Sequence, residues 1–158
     1  LDYEVELAVI LGKAIKDCPA EQVKDAIFGY TILNDVSARN LQTRHTQWYR
    51  GKSLDKFTPM GPCIVTADAI PWPVSLLIRS YVNGELRQSS NTANFITSID
   101  QALSIFSQGT TLLAGTILAT GTPAGVGMGF DPPKFLKPGD VVTCEIEGIG
   151  RLENPIGQ

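Results

Sequence analysis

Two glutamates two positions apart, in Asp2-Tyr3-Glu4-Val5-Glu6-Leu7, give the chain its clearest chemical signal. The residues around them are rich in Val, Ile and Leu, with no Gly or Pro before Gly12, and predict a strand. Side chains at i and i+2 of a strand share a face, which sets the two carboxylates side by side, roughly 7 Å apart. Beyond them both faces are apolar: Ala8 and Ile10 on one, Leu7, Val9 and Leu11 on the other. Two like charges at the mouth of a core are costly unless a cation or hydrogen-bond donors compensate them. An edge strand with two solvated glutamates is the plainer alternative, and this segment alone does not choose.

Further candidates follow along the chain. The segment from Asn34 through Asp35, Ser37, Arg39 and Asn40 to Gln42 packs acid, base and amides just after the apolar run Tyr30–Leu33. A carboxylate at the end of a buried strand, joined to Glu4 and Glu6, would supply three oxygen ligands of the kind Mg²⁺ prefers. Asp35 capping its own backbone in an Asx-turn is the structural alternative. Lys52 lies in Trp48-Tyr49-Arg50-Gly51-Lys52-Ser53, where an amine beside a metal can hold a substrate carboxylate or a developing enolate. Both Lys52 and Arg50 also read as solvated loop cations. The glycine-rich run Gly121-Thr122-Pro123-Ala124-Gly125-Val126-Gly127-Met128-Gly129 lets backbone N–H groups approach an anion, or simply makes a tight turn. It lacks the Gly-Lys-Ser/Thr ending of a phosphate loop. His45, the one histidine, has no HExxH pair and no nucleophile-elbow serine, and reads as a surface loop residue.

These side chains need a scaffold, and the composition describes one. At 158 residues, 43% hydrophobic and 18% charged, the chain is one soluble globular domain with enough length to bury a core. A net charge of −3 with no Lys/Arg-rich run excludes nucleic acid and acidic membrane surfaces as partners. No apolar stretch has the roughly 18 residues of a membrane span. Cys18, Cys63 and Cys144, odd in number and far apart, read as free thiols of a reducing compartment, with no partner to activate a thiolate. This favours the cytoplasm and leaves the mitochondrion open. The start at Leu1, directly in a strand, is what a fragment of a longer protein would show.

Two helices are expected. One runs from Pro19 to Phe28 and stops at Gly29; the other starts at Thr97 or Ser98, carries Ile99, Ala102, Leu103 and Phe106, and stops at Gly109. Val74–Val82, Asn83-Gly84 and Glu85–Gln88 predict a hairpin with a type I′ turn. A further strand is expected over 141–147 after the turn Pro138-Gly139-Asp140, bending at Gly148 and Gly150 into 151–153, and a buried one over 116–120. With about ten strands around two helices, the fold class is a strand-dominated α+β sandwich or rolled barrel.

In order, these segments resemble the fumarylacetoacetate hydrolase family, in the branch of domain-containing proteins and bacterial acylpyruvate hydrolases. The motifs are Tyr3-Glu4-Val5-Glu6, Asn34-Asp35-Val36-Ser37-Ala38-Arg39, Gln47-Trp48-Tyr49-Arg50-Gly51-Lys52-Ser53, Gly121-Thr122-Pro123-Ala124-Gly125-Val126-Gly127 and Lys137-Pro138-Gly139-Asp140 with its following strand. The resemblance implies a single catalytic domain over 1–158, a mixed β-sandwich or β-roll that forms homodimers, and a Mg²⁺ or Mn²⁺ ion on Glu4, Glu6 and Asp35. It implies that Lys52 and Gln42 face the substrate, that Arg39 belongs to the same motif, and that Thr122 with Gly121 receives a carboxylate or keto oxygen. The substrate would be a 2-oxo or 1,3-dicarbonyl acid. Its C–C bond would be hydrolysed, as in an acylpyruvate, or the same site would decarboxylate or tautomerise an oxaloacetate-type acid. A non-catalytic, metal-stabilised dimer is the remaining alternative. Two departures stand out. Asn40 replaces the aspartate that usually ends the Ser-Ala-Arg-Asp motif, and the family's water-activating His–Glu pair, on a lid-like segment, lies upstream of where this chain begins.

Overall fold

The computed structural model describes residues 1–44 and 47–157. In chain order the elements are β1 (Val5–Leu11), α1 (Ala20–Val23), β2 (Ile27–Asn34), α2 (Arg39–Arg44), α3 (Tyr49–Lys52), β3 (Met60–Thr66), β4 (Leu77–Val82), β5 (Glu85–Asn91), α4 (Ile99–Ser107), β6 (Ile117–Ala119), β7 (Val141–Ile146) and β8 (Gly150–Pro155). The strands form two four-stranded antiparallel sheets, in the orders β3-β2-β1-β6 and β5-β4-β7-β8.

Alternation along β1 explains the layering. Val5, Leu7, Val9 and Leu11 are buried in one apolar core with Ile78 of β4 and Val142, Cys144 and Ile146 of β7. Glu4 and Glu6, out of phase with that row, belong to the other face of the first sheet. The register pairs Val5 with Asn34 and Glu6 with Leu33, so β2 ends beside the glutamates and the next residue, Asp35, emerges among them.

The hairpin forms as the Asn-Gly pair requires, with φ of 50° at Asn83 and 81° at Gly84, both left-handed as in a type I′ turn. The strand of 116–120 is instead a three-residue edge strand, β6. It pairs only with β1 among the described residues and is partly exposed, because nothing continues the sheet beyond it. The helix expected over 19–28 ends by Ala26, and Ile27 and Phe28 begin β2. The core claims Ile27 through its pairing with Leu11. Two short helices, α2 and α3, occupy the stretch read as polar loop. At six and four residues they are too short for an apolar period, and tertiary contact holds them. The Ala38 N–H donates to the Gly51 carbonyl at 2.8 Å, and a Cβ on Gly51 would lie 2.8 Å from the Gln42 nitrogen. Only a glycine lets α3 close on α2 at that point.

Candidate metal centre

Four carboxylates and two cations converge where β1 begins and β2 ends. Oxygens of Glu4, Glu6 and Asp35 lie within 4.8 Å of one another. The Lys52 Nζ, delivered by α3, donates to Glu4 Oε2 at 2.8 Å and to Asp35 Oδ2 at 2.7 Å. Arg39, first residue of α2, places Nη2 2.7 Å from Glu4 Oε1, donates through Nε to Asp2 Oδ2 at 3.0 Å, and through Nη1 to Gln42 Oε1 at 2.9 Å. Glu6 accepts the Gly121 N–H at 2.9 Å and has no ion-pair partner among the described residues.

That imbalance has an electrostatic signature. Burial, then the neighbouring Asp35 and Glu4 carboxylates, push the Glu6 carboxyl up to about 7 against the opposing Gly121 N–H and Lys52. Burial also raises Asp35, outweighing its bond to Lys52. Burial works to lower Lys52, but its hydrogen bonds to Asp35 and Glu4 prevail and hold the ammonium charged. Among the described residues Asp2, Glu4, Glu6 and Asp35 face Arg39 and Lys52, two formal positive charges fewer than the carboxylates carry. One divalent cation supplies that number, and three clustered carboxylates are the hard oxygen set that Mg²⁺ or Mn²⁺ takes. The residues fit such an ion.

The other expected residues are distributed less simply. Gln42 is buried at the site and its carbonyl is engaged by Arg39. Thr122 lies beside Gly121, but its hydroxyl proton goes to the Val5 carbonyl at 2.8 Å and its oxygen accepts from Gln88 Nε2 at 2.7 Å. The hydroxyl is therefore part of the frame. His45 lies outside the described residues. A cavity of about 680 Å³ lies elsewhere: it runs along α4, lined by Phe95, Ile99, Phe106 and Leu118, and meets the site through the start of the glycine turn, Gly121 to Ala124.

Two important residues had gone unread. Asp2 is fully buried and accepts from the N–H groups of Tyr3, Gly127 and Met128 as well as from Arg39. Its position two before Glu4 extends the same-face row and was the available signal. Gln88, also buried, accepts from the Val5 N–H and Ser80 and donates to Thr122 and the Pro123 carbonyl. Nothing local in β5 marks it.

Comparison with known proteins gives the family of the chain. The profile of the fumarylacetoacetate (FAA) hydrolase C-terminal family matches residues 1–157. This chain belongs to the fumarylacetoacetate hydrolase family. Among relatives of this fumarylacetoacetate hydrolase-family chain, oxaloacetate tautomerase YisK of Bacillus subtilis is 52% identical over 157 residues, covering 99% of this chain and 52% of that protein. A solved fumarylacetoacetate hydrolase from Exiguobacterium antarcticum superposes with a TM-score of 0.96 at 51% identity, covering 99% of this chain and 56% of the other. A 5-carboxymethyl-2-hydroxymuconate delta-isomerase from Mycobacterium smegmatis gives 0.89 at 42%, with 99% and 58% covered. The chain thus spans about half the length of the curated relatives it matches.

Proposed function

We propose that this family member is a divalent-metal enzyme that stabilises the enolate of a 2-oxo acid, with keto–enol interconversion of an oxaloacetate-type acid as its leading activity. The observation that carries the reading is Glu6: a buried carboxylate without a cation of its own, beside two others that share a charged lysine. When bound by Glu4, Glu6 and Asp35, Mg²⁺ or Mn²⁺ supplies Lewis-acid polarisation of a carbonyl.

The chain's residues do the rest. Lys52 Nζ, held protonated by its two carboxylates, is the mobile positive charge that would turn to the oxygen where the enolate forms. Arg39 keeps Glu4 in place, and Gln42 fixes the third arm of that guanidinium. Gly121 orients Glu6 through its N–H, and the turn behind it presents backbone donors to a substrate carboxylate. Tautomerisation moves one proton between carbon and the enolate oxygen and needs no attacking water. The name of the 52%-identical relative favours this reaction over C–C hydrolysis.

Hydrolysis of a 2,4-dioxo acid is the second reading, favoured by the description of the 51%-identical structure as a fumarylacetoacetate hydrolase. The experiment supplies oxaloacetate as its enol to the intact protein with Mn²⁺. Enol absorbance and pyruvate release are followed together, with an acylpyruvate run in parallel. Accelerated loss of enol without pyruvate supports tautomerisation, and pyruvate with CO₂ indicates decarboxylation. Cleavage of the acylpyruvate alone moves hydrolysis to the front. No acceleration with any of them would overturn the enolate reading.

A further inference from the structure

Asp2 joins two parts of the centre that are far apart in sequence. On one side its Oδ2 takes Arg39 Nε at 3.0 Å, and the same guanidinium reaches Glu4 Oε1 at 2.7 Å. On the other, its Oδ1 takes the Gly127 N–H at 2.6 Å and its Oδ2 the Met128 N–H at 3.0 Å. Those residues end the turn whose first member, Gly121, donates to Glu6. The fit is close: a Cβ on Gly127 would lie 2.7 Å from Asp2 Oδ1 and 2.5 Å from the Lys134 carbonyl. The carboxylate is completely buried, so solvent cannot replace any of these partners.

We propose that Asp2 is a positioning residue that sets two of the three candidate ligands at once, Glu4 through Arg39 and Glu6 through the 121–129 turn. Charge makes it suited to the task. Arg39 offers its Nε–H and the turn offers N–H groups, so every neighbour is a donor, and only a residue with acceptors on both sides satisfies them all. Asparagine has the same shape but one donating end. With its amide nitrogen in the Oδ2 place it would lose Arg39 and Met128, and in the Oδ1 place Tyr3 and Gly127. The inference rests on the divalent-metal reading above but not on the identity of the reaction.

The test is Mn²⁺ binding to the intact protein, read by electron paramagnetic resonance of the free ion, with circular dichroism and a thermal melt as folding controls. Asp2→Asn should weaken Mn²⁺ binding about 10–100-fold while the protein remains folded, the usual effect of removing a group that orients a ligand. Arg39→Lys, which keeps the charge but loses the fork, should also weaken binding. A lower melting temperature with Mn²⁺ affinity within twofold of the parent would reduce Asp2 to a purely structural residue and overturn the proposal. Should Asp2→Asn fail to fold, Arg39→Lys and Gly127→Ala strain the two arms separately, and parent-like Mn²⁺ binding in both would be equally fatal. A parent that binds no Mn²⁺ removes the metal reading and this inference together. Mn²⁺ binding without turnover of any 2-oxo acid removes only the enolate reading.

Discussion

The carboxylate corner and the groove along α4 meet at Gly121 and are built on opposite principles. No charged side chain is among the lining residues of the groove. The corner holds buried ionic groups that β1, β2, α2, α3 and the glycine turn bring together from across the sequence. An apolar wall can be open at modest cost, whereas a buried unpaired charge is expensive at any volume. The candidate centre is therefore marked by the charge that remains uncompensated, and not by the cavity along α4.

Substitutions can break that contrast. The largest effect is expected for Lys52→Ala: turnover with saturating Mn²⁺ should fall about 10²–10³-fold, the usual result of losing one group that meets developing charge. Mn²⁺ binding should persist, since Glu4, Glu6 and Asp35 remain. Loss of the ion instead would make Lys52 a support of the carboxylates and not a substrate group. Next come Glu6→Gln and Asp35→Asn. An ion at 100 times its dissociation constant adds about 2.7 kcal/mol, or roughly 5–10 °C in the melt of a domain this size. Both variants should lose that rise, and a variant that kept it would not have removed a ligand.

A pH series sharpens the contrast further. In the metal-free protein Glu6 is raised from its ordinary 4.5 to about 7, so folding favours its protonated form. That contribution is complete below about 4.5 and is lost as pH rises through 7. The metal-free melt should therefore weaken across this window, with Asp35 acting in the same direction. Mn²⁺ requires the charged carboxylates and should rescue stability increasingly as pH rises. Glu6→Gln should flatten much of the slope, and an unchanged slope would assign it to other groups. The smallest effect belongs to the groove. Phe106→Ala, at an exposed position on α4, should leave turnover and Mn²⁺ affinity within twofold and stability within about 0.5 kcal/mol. A fall in turnover would merge the two regions into one site.

The sequence disclosed this contrast unevenly. Period-two alternation placed Glu4 and Glu6 on one face, and the apolar run before Asp35 marked where β2 would end, because strand geometry is local. The Asn83-Gly84 turn was legible for the same reason. Residues whose roles depend on distant partners were not. Nothing near Thr122 shows that its hydroxyl is engaged by Val5 and Gln88, and nothing near Gly51 shows that α2 lies against it. The strand at 117–119 reads as apolar and is apolar, but only the sheet order reveals it as an edge. The helix expected through Phe28 fails because Ile27 satisfies a helical period and a strand pairing equally well, and the core decides.

The Asp2–Arg39 pair also bears on how the family could change over time. Each partner is buried against the other, so a substitution at either position removes a charge-assisted bond that solvent cannot replace. Replacing both also leaves the Gly127 and Met128 N–H groups without their acceptor and Glu4 without Arg39. The two positions should therefore be inherited as a unit: kept together in lineages under selection for chemistry, and discarded together in those released from it. A descendant that keeps arginine at 39 without an acid at 2 should be rare, and the ancestry of this domain would be recorded in that coupling more durably than in any one of its ligands.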